Sequence, residues 1–388
     1  MSNSSLTEPE LAGGKPRRVR VRHSNIGGDK QDLLNTIRVD PNMHRSSRTS
    51  VQLSWSQLQK LVDDFDLGRM IQMDIPTQTQ CNTTDPFRTG QGTFLLRARH
   101  GEEYIERVEY LHEMINGLIA LGFPVPEVMR KRNGKTWTLW GERLVEIHRF
   151  VPHDTGSHRD WQRMNAAAGI LGDLHRTLNT LAKKISPVPP EMRNDIGPAY
   201  CLSLIDEGQY VVSQYLERDP EAVVAQQVLA RAREILEPMA ENYERIIGSL
   251  PWLTVHGDYH FWNILYKADQ IASVVDYDFM QERERLFDIA YAMQSVIAHL
   301  TRVHGVTVQH IPKQAWQNLR LWVDLYDETT HLPLTQVERA RLPAEILRIF
   351  LVSVATSAGQ ENPIELLTKC AQEIDLYCWI SQQDKMFT

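Results

Sequence analysis

The fold and the chemistry of this chain are indicated by one stretch, Leu253-Thr-Val-His256-Gly-Asp258-Tyr-His260-Phe-Trp-Asn263-Ile-Leu265, followed by Ser273-Val-Val-Asp276-Tyr-Asp278-Phe279. Phosphoryl transfer needs a carboxylate that orients the acceptor hydroxyl, together with oxygen ligands for the Mg²⁺ ions that neutralise the phosphates. Asp258 is suited to the first task, and Asn263 and Asp276 can offer an amide oxygen and a carboxylate to the metal. The stretch therefore predicts a phosphotransferase site.

The spacing of these residues allows them to meet. Asp258 and Asn263 are five positions apart in a tight loop between two short predicted strands, so both side chains can point into one cleft. Asp276 stands at the end of the next apolar strand, which is the second strand of the predicted hairpin, so its side chain can reach the same cleft. Single Asp and Asn residues at strand ends are often only turn formers. Three of them, with His256 and His260 at fixed offsets, favour a functional site.

The pattern His-Gly-Asp-x-His-x-x-Asn, then a hydrophobic strand and Asp-x-Asp, resembles the aminoglycoside phosphotransferase and choline kinase superfamily, which includes type II homoserine kinases. The resemblance covers about residues 68–295 and is strongest over 256–288. It implies an α+β fold, the bilobal protein-kinase-like fold, with a small β-rich N-terminal lobe and a larger, mainly helical C-terminal lobe. It also implies ATP, Mg²⁺ and a small polar acceptor with a hydroxyl group: an amino sugar or aminoglycoside, an amino alcohol or a homoserine-like compound.

The resemblance assigns roles by matching position. Asp258 matches the catalytic base, Asn263 the metal-binding amide and Asp276 the metal-binding carboxylate. Asp288, within Arg285-Leu-Phe-Asp288-Ile-Ala290, matches an aspartate that supports the catalytic loop through hydrogen bonds and does not touch the substrate.

The histidines are interpreted as structural. His256 is expected to be a hydrogen-bonded core residue that supports the site. For His260 structural support is favoured over a direct role, and His175, in Leu171-Gly-Asp-Leu-His175, is interpreted as a packing or hydrogen-bonding residue. An alternative is that His256, Asp258 and His260 hold zinc or iron. That alternative explains neither the asparagine nor the later aspartates of the pattern.

The N-terminal lobe resembles the family less closely. Asn82 to Arg97 is similar to the family's nucleotide-binding hairpin, with Phe87 in place of a valine. The full glycine-rich pattern is missing, and only Gly90 and Gly92 can offer backbone amides to phosphate. Arg97 stands where the phosphate-contacting lysine would be, and a guanidinium can bind phosphate in a bidentate manner.

The helix after this hairpin is expected to supply a glutamate partner for Arg97. Glu109 and Glu113 both qualify, since helical phase does not choose between them, and we take Glu109 as the nucleotide-binding residue. Val145 to Phe150 resembles the family's edge strand that leads to the hinge between the lobes. Backbone groups near Glu146–Arg149 are therefore expected to meet the adenine.

Local patterns divide the chain into three parts. Residues 1–50 are rich in Ser, Asn, Gly, Arg and Lys and are predicted to be flexible. Residues 51–150 are the predicted nucleotide-binding lobe, and 151–388 the catalytic and substrate-binding lobe. The basic run Arg17–Arg22 is short, so a solvated tail is favoured over a nucleic-acid contact. The predicted helices are Trp55–Phe65, 102–121, Trp161–Leu181, Pro220–Ile247, Gln314–Tyr326 and Leu342–Ser357.

Composition limits the function classes. Hydrophobic residues make up 42% and charged residues 23% of the 388 residues, as in ordinary soluble globular proteins. The formal net charge of −7 at pH 7 argues against nucleic acid as the main partner of the folded body. The four cysteines lack metal-ligand spacing, and the sequence shows neither a signal-peptide pattern nor an apolar run of about 18 residues. We therefore expect a cytoplasmic protein that does not enter membranes.

The reaction class leaves alternatives. A pseudokinase is supported by the incomplete glycines and by Arg97, and opposed by the presence of Asp258, Asn263 and Asp276. A protein or peptide could also be the acceptor. Acidic residues of the C-terminal part would suit a cationic acceptor, although a solvated surface explains them at least as well: Glu191, Asp195, Asp206, Glu207, Glu217, Asp219 and Glu221. The choice of ATP or GTP and the oligomeric state stay open.

Overall fold

A computed structural model of the chain describes residues 53–73, 77–78, 83–100, 105–154, 160–185, 196–360, 362–383 and 385–388. The flexible segment predicted at residues 1–50 lies outside these residues. The first part of the described chain contains an antiparallel sheet of six strands, and the later part of the chain is mostly helical. The predicted fold class, a small β-rich lobe before a larger helical lobe, is confirmed.

The N-terminal elements begin with helix α1, Trp55–Asp64. Its start is a capping box, because the Ser54 side chain accepts from Gln57 N while Gln57 Oε1 accepts from Ser54 N. These bonds satisfy backbone donors that no helical carbonyl reaches, and the start predicted from sequence is confirmed. The next elements along the chain are β1 Met70–Met73, β2 Thr77–Gln78, β3 Thr83–Thr89, β4 Gly92–His100, α2 Ile105–Ala120, β5 Trp137–Trp140 and β6 Arg143–Arg149.

The strands form one sheet in the order β1-β3-β4-β6-β5, with β2 also paired to β3. Side chains alternate between its two faces. Phe94, Leu96 and Ala98 of β4 are buried in the cluster that includes α1. Arg97 therefore lies on the opposite face, where the β4–β6 register places Glu146 directly beside it. The sheet thus brings charged side chains of two central strands together on one face.

Helix α2 packs on the face of the sheet that carries Arg97. Its Val108 is buried against Trp137 of β5 and Leu144 of β6. The helix ends because Gly122, at φ +78°, turns the chain, and Phe123 N then donates to a carbonyl of the last helical turn at 2.9 Å. The charged groups of β4 and β6 consequently lie between the sheet and α2.

The helical part begins with α3 Trp161–Ala182, α4 Pro198–Ser213, α5 Pro220–Ala240 and α6 Tyr243–Ile247. Four short strands come next: β7 Trp252–Val255, β8 Ile264–Lys267, β9 Gln270–Val274 and β10 Gln281–Glu284, with β7 paired to β10 and β8 to β9. The remaining helices are α7 Leu286–His304, α8 Lys313–Thr329, α9 Gln336–Ser357, α10 Pro363–Ala371 and α11 Ile374–Ser381. None of the helices in the described ranges combines the length and the apolar character that a bilayer crossing demands.

Two helix predictions need correction, and four helices were not predicted. The single helix predicted for Pro220–Ile247 is two helices, because the chain turns between α5 and α6. Helix α9 begins earlier than the predicted Leu342, because Thr335 and Glu338 form a capping box upstream of that position. Helices α4, α7, α10 and α11 have no counterpart among the predicted helices.

Candidate active site

The loop after β7 is held by one buried carboxylate. Asp288, near the start of α7, accepts hydrogen bonds from the backbone N–H groups of His256 at 2.8 Å and Gly257 at 2.9 Å. It also accepts from His175 Nε2 at 3.0 Å and is completely buried. Burial would raise the pKa of Asp288, but the bonds from His175 and Gly257 hold that pKa below its usual value. Asp288 thus ties the loop to α7 and to α3.

Gly257 stands where the loop passes closest to the β9–β10 loop. Its φ is +80°, and a Cβ atom at this position would collide with Phe279 O. We expect Gly257→Ala to lower the free energy of unfolding by about 3 kcal/mol, because a left-handed alanine costs about 1–2 kcal/mol and the overlap adds to that cost. Urea unfolding followed by circular dichroism measures the change.

Gly305→Ala is the matched control for this prediction. Gly305 also has a positive φ of +64°, but no atom lies within 4 Å of its Cβ position. Its replacement should therefore cost only the left-handed conformation, about 1 kcal/mol. An equal decrease in unfolding free energy in the two variants would show that the close approach to the β9–β10 loop is not the reason for a glycine at position 257.

His256 links this loop to the strand pair β8–β9. Its Nε2 donates to Val275 O at 3.0 Å and its Nδ1 accepts from Asp258 N at 3.3 Å, an assignment that follows from these partners. Burial lowers the pKa of His256, so the ring is neutral, as this pattern requires. Both ring nitrogens are occupied, and the geometry therefore opposes the alternative in which His256 is a zinc or iron ligand.

Asp258 and Asn263 lie side by side. Asn263 Nδ2 donates to Asp258 O at 2.8 Å and to Asp258 Oδ2 at 2.9 Å. His260 Nε2 is 3.5 Å from the same Oδ2, and Tyr291 of α7 hydrogen-bonds to the Asp258 carboxylate. Burial and the nearby Asp258 charge raise the pKa of Tyr291, so its hydroxyl keeps its proton and donates it. The Asp258 side chain is held by these groups yet remains 18% exposed, which leaves it accessible to a ligand.

Asp276 joins this pair from the β9–β10 loop. Val275 N donates to Asn263 O at 2.9 Å, which ties the two loops together. Asp276 itself has φ +67°, a left-handed conformation that is uncommon outside glycine, asparagine and aspartate. Burial raises the pKa of Asp276, and the charges of Asp278 and Asp258 raise it further. Three carboxylates are therefore crowded together, an arrangement that a bound cation stabilises.

The donor atoms of this cluster fit Mg²⁺. Asp276 and Asp278 present carboxylate oxygens. Asn263 uses its amide nitrogen on Asp258, and its Oδ1 has no hydrogen-bond partner among the residues that the structure describes. Carboxylate and amide oxygens are the ligands that Mg²⁺ prefers.

Two arginines of β4 pair with the aspartates. Arg97 Nη2 lies 3.1 Å from both Asp276 Oδ1 and Asp278 Oδ2. Arg99, on the same face of the strand, pairs with Asp278 Oδ1 at 2.6 Å and with Glu146 Oε1 at 2.7 Å. Burial would lower the pKa of each guanidinium, but the carboxylates outweigh it and raise the pKa of both Arg97 and Arg99. Both arginines therefore carry their charge in the cluster.

The predicted partner of Arg97 needs correction. Glu109 accepts a hydrogen bond from Trp137 Nε1 at 3.0 Å and does not pair with Arg97. Within the described ranges, the carboxylates that pair with Arg97 are Asp276, Asp278 and Glu146. Glu113 is not among them either. The physical reason is that His112 is the α2 side chain that reaches Glu146, while Glu109 lies beside Trp137 of β5.

The turn with Gly90 and Gly92 lies away from the aspartates. Gln91 Nε2 donates to Asp66 O at 3.1 Å, just beyond the end of α1. Arg97 is five residues along β4 from Gly92, about 17 Å at the usual rise of a strand. Amides of this turn therefore cannot hold phosphates that are bound at Arg97, contrary to the expectation from sequence. Asn82, at the start of the predicted hairpin, is outside the described residues.

The backbone groups of Glu146–Arg149 are also occupied. Ile147 O accepts from a backbone N–H of the segment 127–129, and Arg149 N donates to a carbonyl of that segment, both at 2.8 Å. On its other side the strand pairs with β4. Groups that are paired on both sides cannot also bond to adenine, contrary to the expectation for Glu146–Arg149.

Comparison with known proteins agrees with this geometry. The model of the phosphotransferase enzyme family (APH) matches residues 82–326, more than half of the chain. The chain belongs to the phosphotransferase enzyme family. The superfamily resemblance and the predicted enzyme class, a small-molecule kinase, are thereby confirmed.

Individual relatives of this phosphotransferase are distant. A homoserine kinase from Phenylobacterium zucineum (strain HLK1) is 23% identical over 327 residues, which are 81% of this chain and 92% of the relative. A microcompartment-associated aminopropanol kinase superposes with a TM-score of 0.58 at 16% identity, over 85% of this chain and 97% of that chain. A spectinomycin phosphotransferase, solved with ADP and spectinomycin, gives 0.52 at 10% identity, over 85% and 98%. At these identities the solved structures establish the shared fold alone.

Sequence reasoning gave no side-chain role to several residues that the structure brings to the site of this phosphotransferase: Asp278, Arg99, Arg107, Glu146 and Tyr291. Arg99 could have been found, since strand alternation places it on the face of Arg97. Arg107 Nη2 donates from α2 to Asp278 O at 2.8 Å and Met280 O at 2.7 Å. No local pattern marks Arg107, because its partners are far away in the sequence.

Proposed function

We propose that this phosphotransferase transfers the γ-phosphoryl group of ATP, with Mg²⁺, to a hydroxyl group of a small polar molecule. One observation carries the proposal: Asn263 bonds to Asp258, the loop of Asp276 is tied to Asn263 by a backbone hydrogen bond, and Arg97 bonds to Asp276 at 3.1 Å. The cluster offers a carboxylate to an incoming hydroxyl and, beside it, oxygen ligands and a guanidinium to the phosphates. A metal–nucleotide complex is oriented by fixed charges of both signs, because negative groups bind the metal and positive groups bind the phosphates.

Asp258 is the base in this proposal. Asn263 and Tyr291 orient its carboxylate through hydrogen bonds, and its partial exposure lets the acceptor hydroxyl reach it. As the acceptor oxygen bonds to the γ-phosphorus, the hydroxyl proton passes to Asp258 and the bond to the bridging oxygen of ADP breaks. His256, His260 and the buried Asp288 keep the loop in place.

Arg97 is the phosphate-positioning residue. It pairs with Asp276 and Asp278. If Asp276 binds the Mg²⁺ of a metal–nucleotide complex, one edge of the Arg97 guanidinium becomes free to bind phosphate oxygens. Asn263 and Asp276 would hold Mg²⁺, which neutralises charge on the phosphates when it is bound. We propose that the adenine binds to the backbone just beyond Phe150, because the backbone groups of Glu146–Arg149 are already paired.

Asp276→Ala should weaken the binding of a non-hydrolysable ATP analogue in the presence of Mg²⁺ at least about 10-fold, because the change removes a charged ligand. Calorimetric titrations with and without Mg²⁺ measure this effect. Asp269→Ala is the matched control, since Asp269 is 67% exposed at the β8–β9 turn. Equal affinity in Asp276→Ala and Asp269→Ala would exclude Asp276 from metal binding.

The acceptor is proposed to be a small alcohol with further polar groups. The names of the homoserine kinase and the aminopropanol kinase place amino alcohols and homoserine-like compounds first among the candidates. The aminoglycosides come next, since the spectinomycin phosphotransferase shares the fold. All three classes offer a hydroxyl group that Asp258 could deprotonate.

The acidic residues of the helical part do not add support for a cationic acceptor. Asp206 forms an ion pair with Arg233, and Asp219 caps α5 by accepting from a first-turn N–H at 2.9 Å. Glu191 and Asp195 lie outside the described residues. The contacts that are described are surface and capping contacts, as the solvated-surface interpretation predicts.

Release of ADP with and without Mg²⁺ tests the proposal. The acceptor panel is homoserine, aminopropanol, ethanolamine, choline, aminoglycosides and simple sugars. Release that one compound stimulates, and that Asp258→Asn abolishes, supports the proposal and identifies the acceptor class. Nucleotide binding without turnover on any compound favours a pseudokinase or a protein acceptor. If no nucleotide binds, the proposed function is wrong.

A further inference from the structure

We propose that Glu146 positions Arg97 and Arg99 for the nucleotide phosphates, a task for which the sequence suggests a glutamate of α2. This role rests on the phosphotransferase function proposed above and adds a positioning residue to it. Glu146 stands on β6 directly opposite Arg97 of β4 and is completely buried. From α2, His112 contacts this carboxylate in place of a glutamate that would contact the arginines.

Both carboxylate oxygens of Glu146 are engaged. Oε1 accepts from Arg99 Nη2 at 2.7 Å, from Arg99 Nε at 3.2 Å and from His148 Nε2 at 3.0 Å. Oε2 accepts from His112 Nε2 at 2.8 Å, and Arg97 Nη1 lies 3.7 Å from Oε1. Four basic side chains from β4, β6 and α2 thus converge on one buried carboxylate.

The Glu146 carboxylate at the centre of this cluster is ionised, and cations and N–H donors stabilise its charge. Burial alone would raise the pKa of Glu146, but Arg99 and the two histidines hold it well below its usual value. Burial lowers the pKa of His148, which is therefore neutral and donates its Nε2 proton. His112, Glu146 and His148 have donor atoms within 4.8 Å of one another, the spacing of a cation site. Arg99 already supplies the cation at Oε1, and a metal ion there would be repelled.

The two arginines have two sets of partners, and only one set can change when a nucleotide binds. Towards the cleft they hold Asp276 and Asp278, and a metal–nucleotide complex competes for Asp276. Towards the sheet they hold Glu146, which solvent and substrate do not reach. Glu146 therefore keeps both guanidiniums on the cleft face while Arg97 exchanges a carboxylate for phosphate. Such pre-orientation lowers the entropy that binding must otherwise overcome.

Helix α2 is coupled to the cluster at two points. His112 bonds to Glu146, and Arg107 bonds to the carbonyls of Asp278 and Met280 in the β9–β10 loop. The nitrogen of His112 that does not face Glu146 lies 2.6 Å from the Thr136 hydroxyl. Loss of the His112 bond should loosen Glu146 only in part, because Arg99 and His148 still hold the other oxygen.

Glu146→Gln in the full chain tests this role. Glutamine keeps the shape of the side chain but removes the charge that balances the two guanidiniums. We expect the KM for ATP and the Kd for Mg²⁺–ADP to rise at least about 10-fold, while the KM for the acceptor changes less than about 2-fold. A merely structural defect would affect both substrates alike. His112→Gln should raise the KM for ATP about 3-fold, since one of the hydrogen bonds that hold Glu146 is weakened.

Two further variants make the test specific. Glu127→Gln is the matched control, since Glu127 is exposed and pairs with Arg149 at 2.7 Å, and its nucleotide affinity should not change. Glu109→Gln tests the rival partner that the sequence suggested. The proposal is overturned if folded Glu146→Gln binds nucleotide like the wild type, or if Glu109→Gln gives the larger loss.

Circular dichroism first establishes whether Glu146→Gln folds. If it does not fold, the same KM and Kd values are measured for His112→Gln instead, and an unchanged KM for ATP in that variant overturns the proposal. Failure of the proposed function itself is distinguishable, because the wild type would then bind no nucleotide, or would bind it without turnover on any acceptor of the panel. A wild type that turns over, beside a Glu146→Gln variant with the same nucleotide affinity, would defeat the positioning role alone.

Discussion

Asp258→Asn is expected to lower kcat by about 10³-fold while nucleotide affinity stays within about 2-fold of the wild type. The amide keeps the volume of the side chain and an oxygen that can accept from Asn263 Nδ2, as Asp258 Oδ2 does at 2.9 Å. It cannot take the proton of the acceptor hydroxyl, and general-base transfer contributes about 10²–10⁴-fold to enzymatic rates. ADP release at saturating substrates measures kcat, and calorimetry with a non-hydrolysable ATP analogue measures affinity.

Asp269→Asn serves as the control for this prediction. Asp269 is 67% exposed in the turn between β8 and β9, close in sequence to the site, and its replacement should leave kcat near the wild-type value. Retained turnover in Asp258→Asn would remove Asp258 from the mechanism. A parallel loss of nucleotide affinity would instead show that Asp258 maintains the shape of the loop.

Asp288→Asn is expected to lower the free energy of unfolding by about 3–5 kcal/mol and to reduce turnover with it. Asp288 accepts from His256 N, Gly257 N and His175 Nε2, with both carboxylate oxygens in use. Asparagine has one acceptor oxygen, and its NH₂ group would face an N–H donor in a fully buried position. The loop that carries Asp258 would lose its connection to α7.

The pH dependence of this effect has a definite sign. The pKa of Asp288 is lowered in the folded protein, so its contribution to stability is fully present above the unfolded value of about 3.9. The contribution is lost as the pH falls through the lower folded pKa. The difference in unfolding free energy between wild type and Asp288→Asn should therefore be constant near neutral pH and shrink in acid.

Urea unfolding at neutral and acidic pH measures this difference. Asp173→Asn is the matched control, because the ion pair of Asp173 among the described residues is with Arg176 on the surface of α3, at 2.8 Å, and such exposed pairs contribute about 0–1 kcal/mol. A loss in Asp288→Asn no larger than that of Asp173→Asn would contradict the supporting role. So would a difference that grows as the pH falls.

The cluster around Asp258 could be predicted from sequence because its chemistry is local. Asp258 and Asn263 share one loop, and a single short hairpin brings Asp276 to them, so residue types and spacing were sufficient to bring them together. Short connections leave few geometries open.

The partners of the arginines could not be predicted in this way. Arg99 and Glu146 are 47 positions apart, and they meet only because β4 and β6 are neighbours in a particular register. Helical phase indicates which face of α2 is buried, but not that His112 would meet a carboxylate from the sheet. The expected adenine contact failed for a related reason: the segment 127–129 occupies backbone groups that the strand pattern of β6 leaves open.

The central claim, transfer of a phosphoryl group to an alcohol, is tested most directly by following the γ-phosphate itself. The full chain is incubated with ATP that is radiolabelled at the γ-phosphate, with Mg²⁺ and the best acceptor of the panel, and the products are separated and identified by mass spectrometry. The label is predicted in a phosphomonoester of the acceptor hydroxyl, only with Mg²⁺ and not with Asp258→Asn. Label that appears solely as inorganic phosphate, or equally with Asp258→Asn, would contradict the claim.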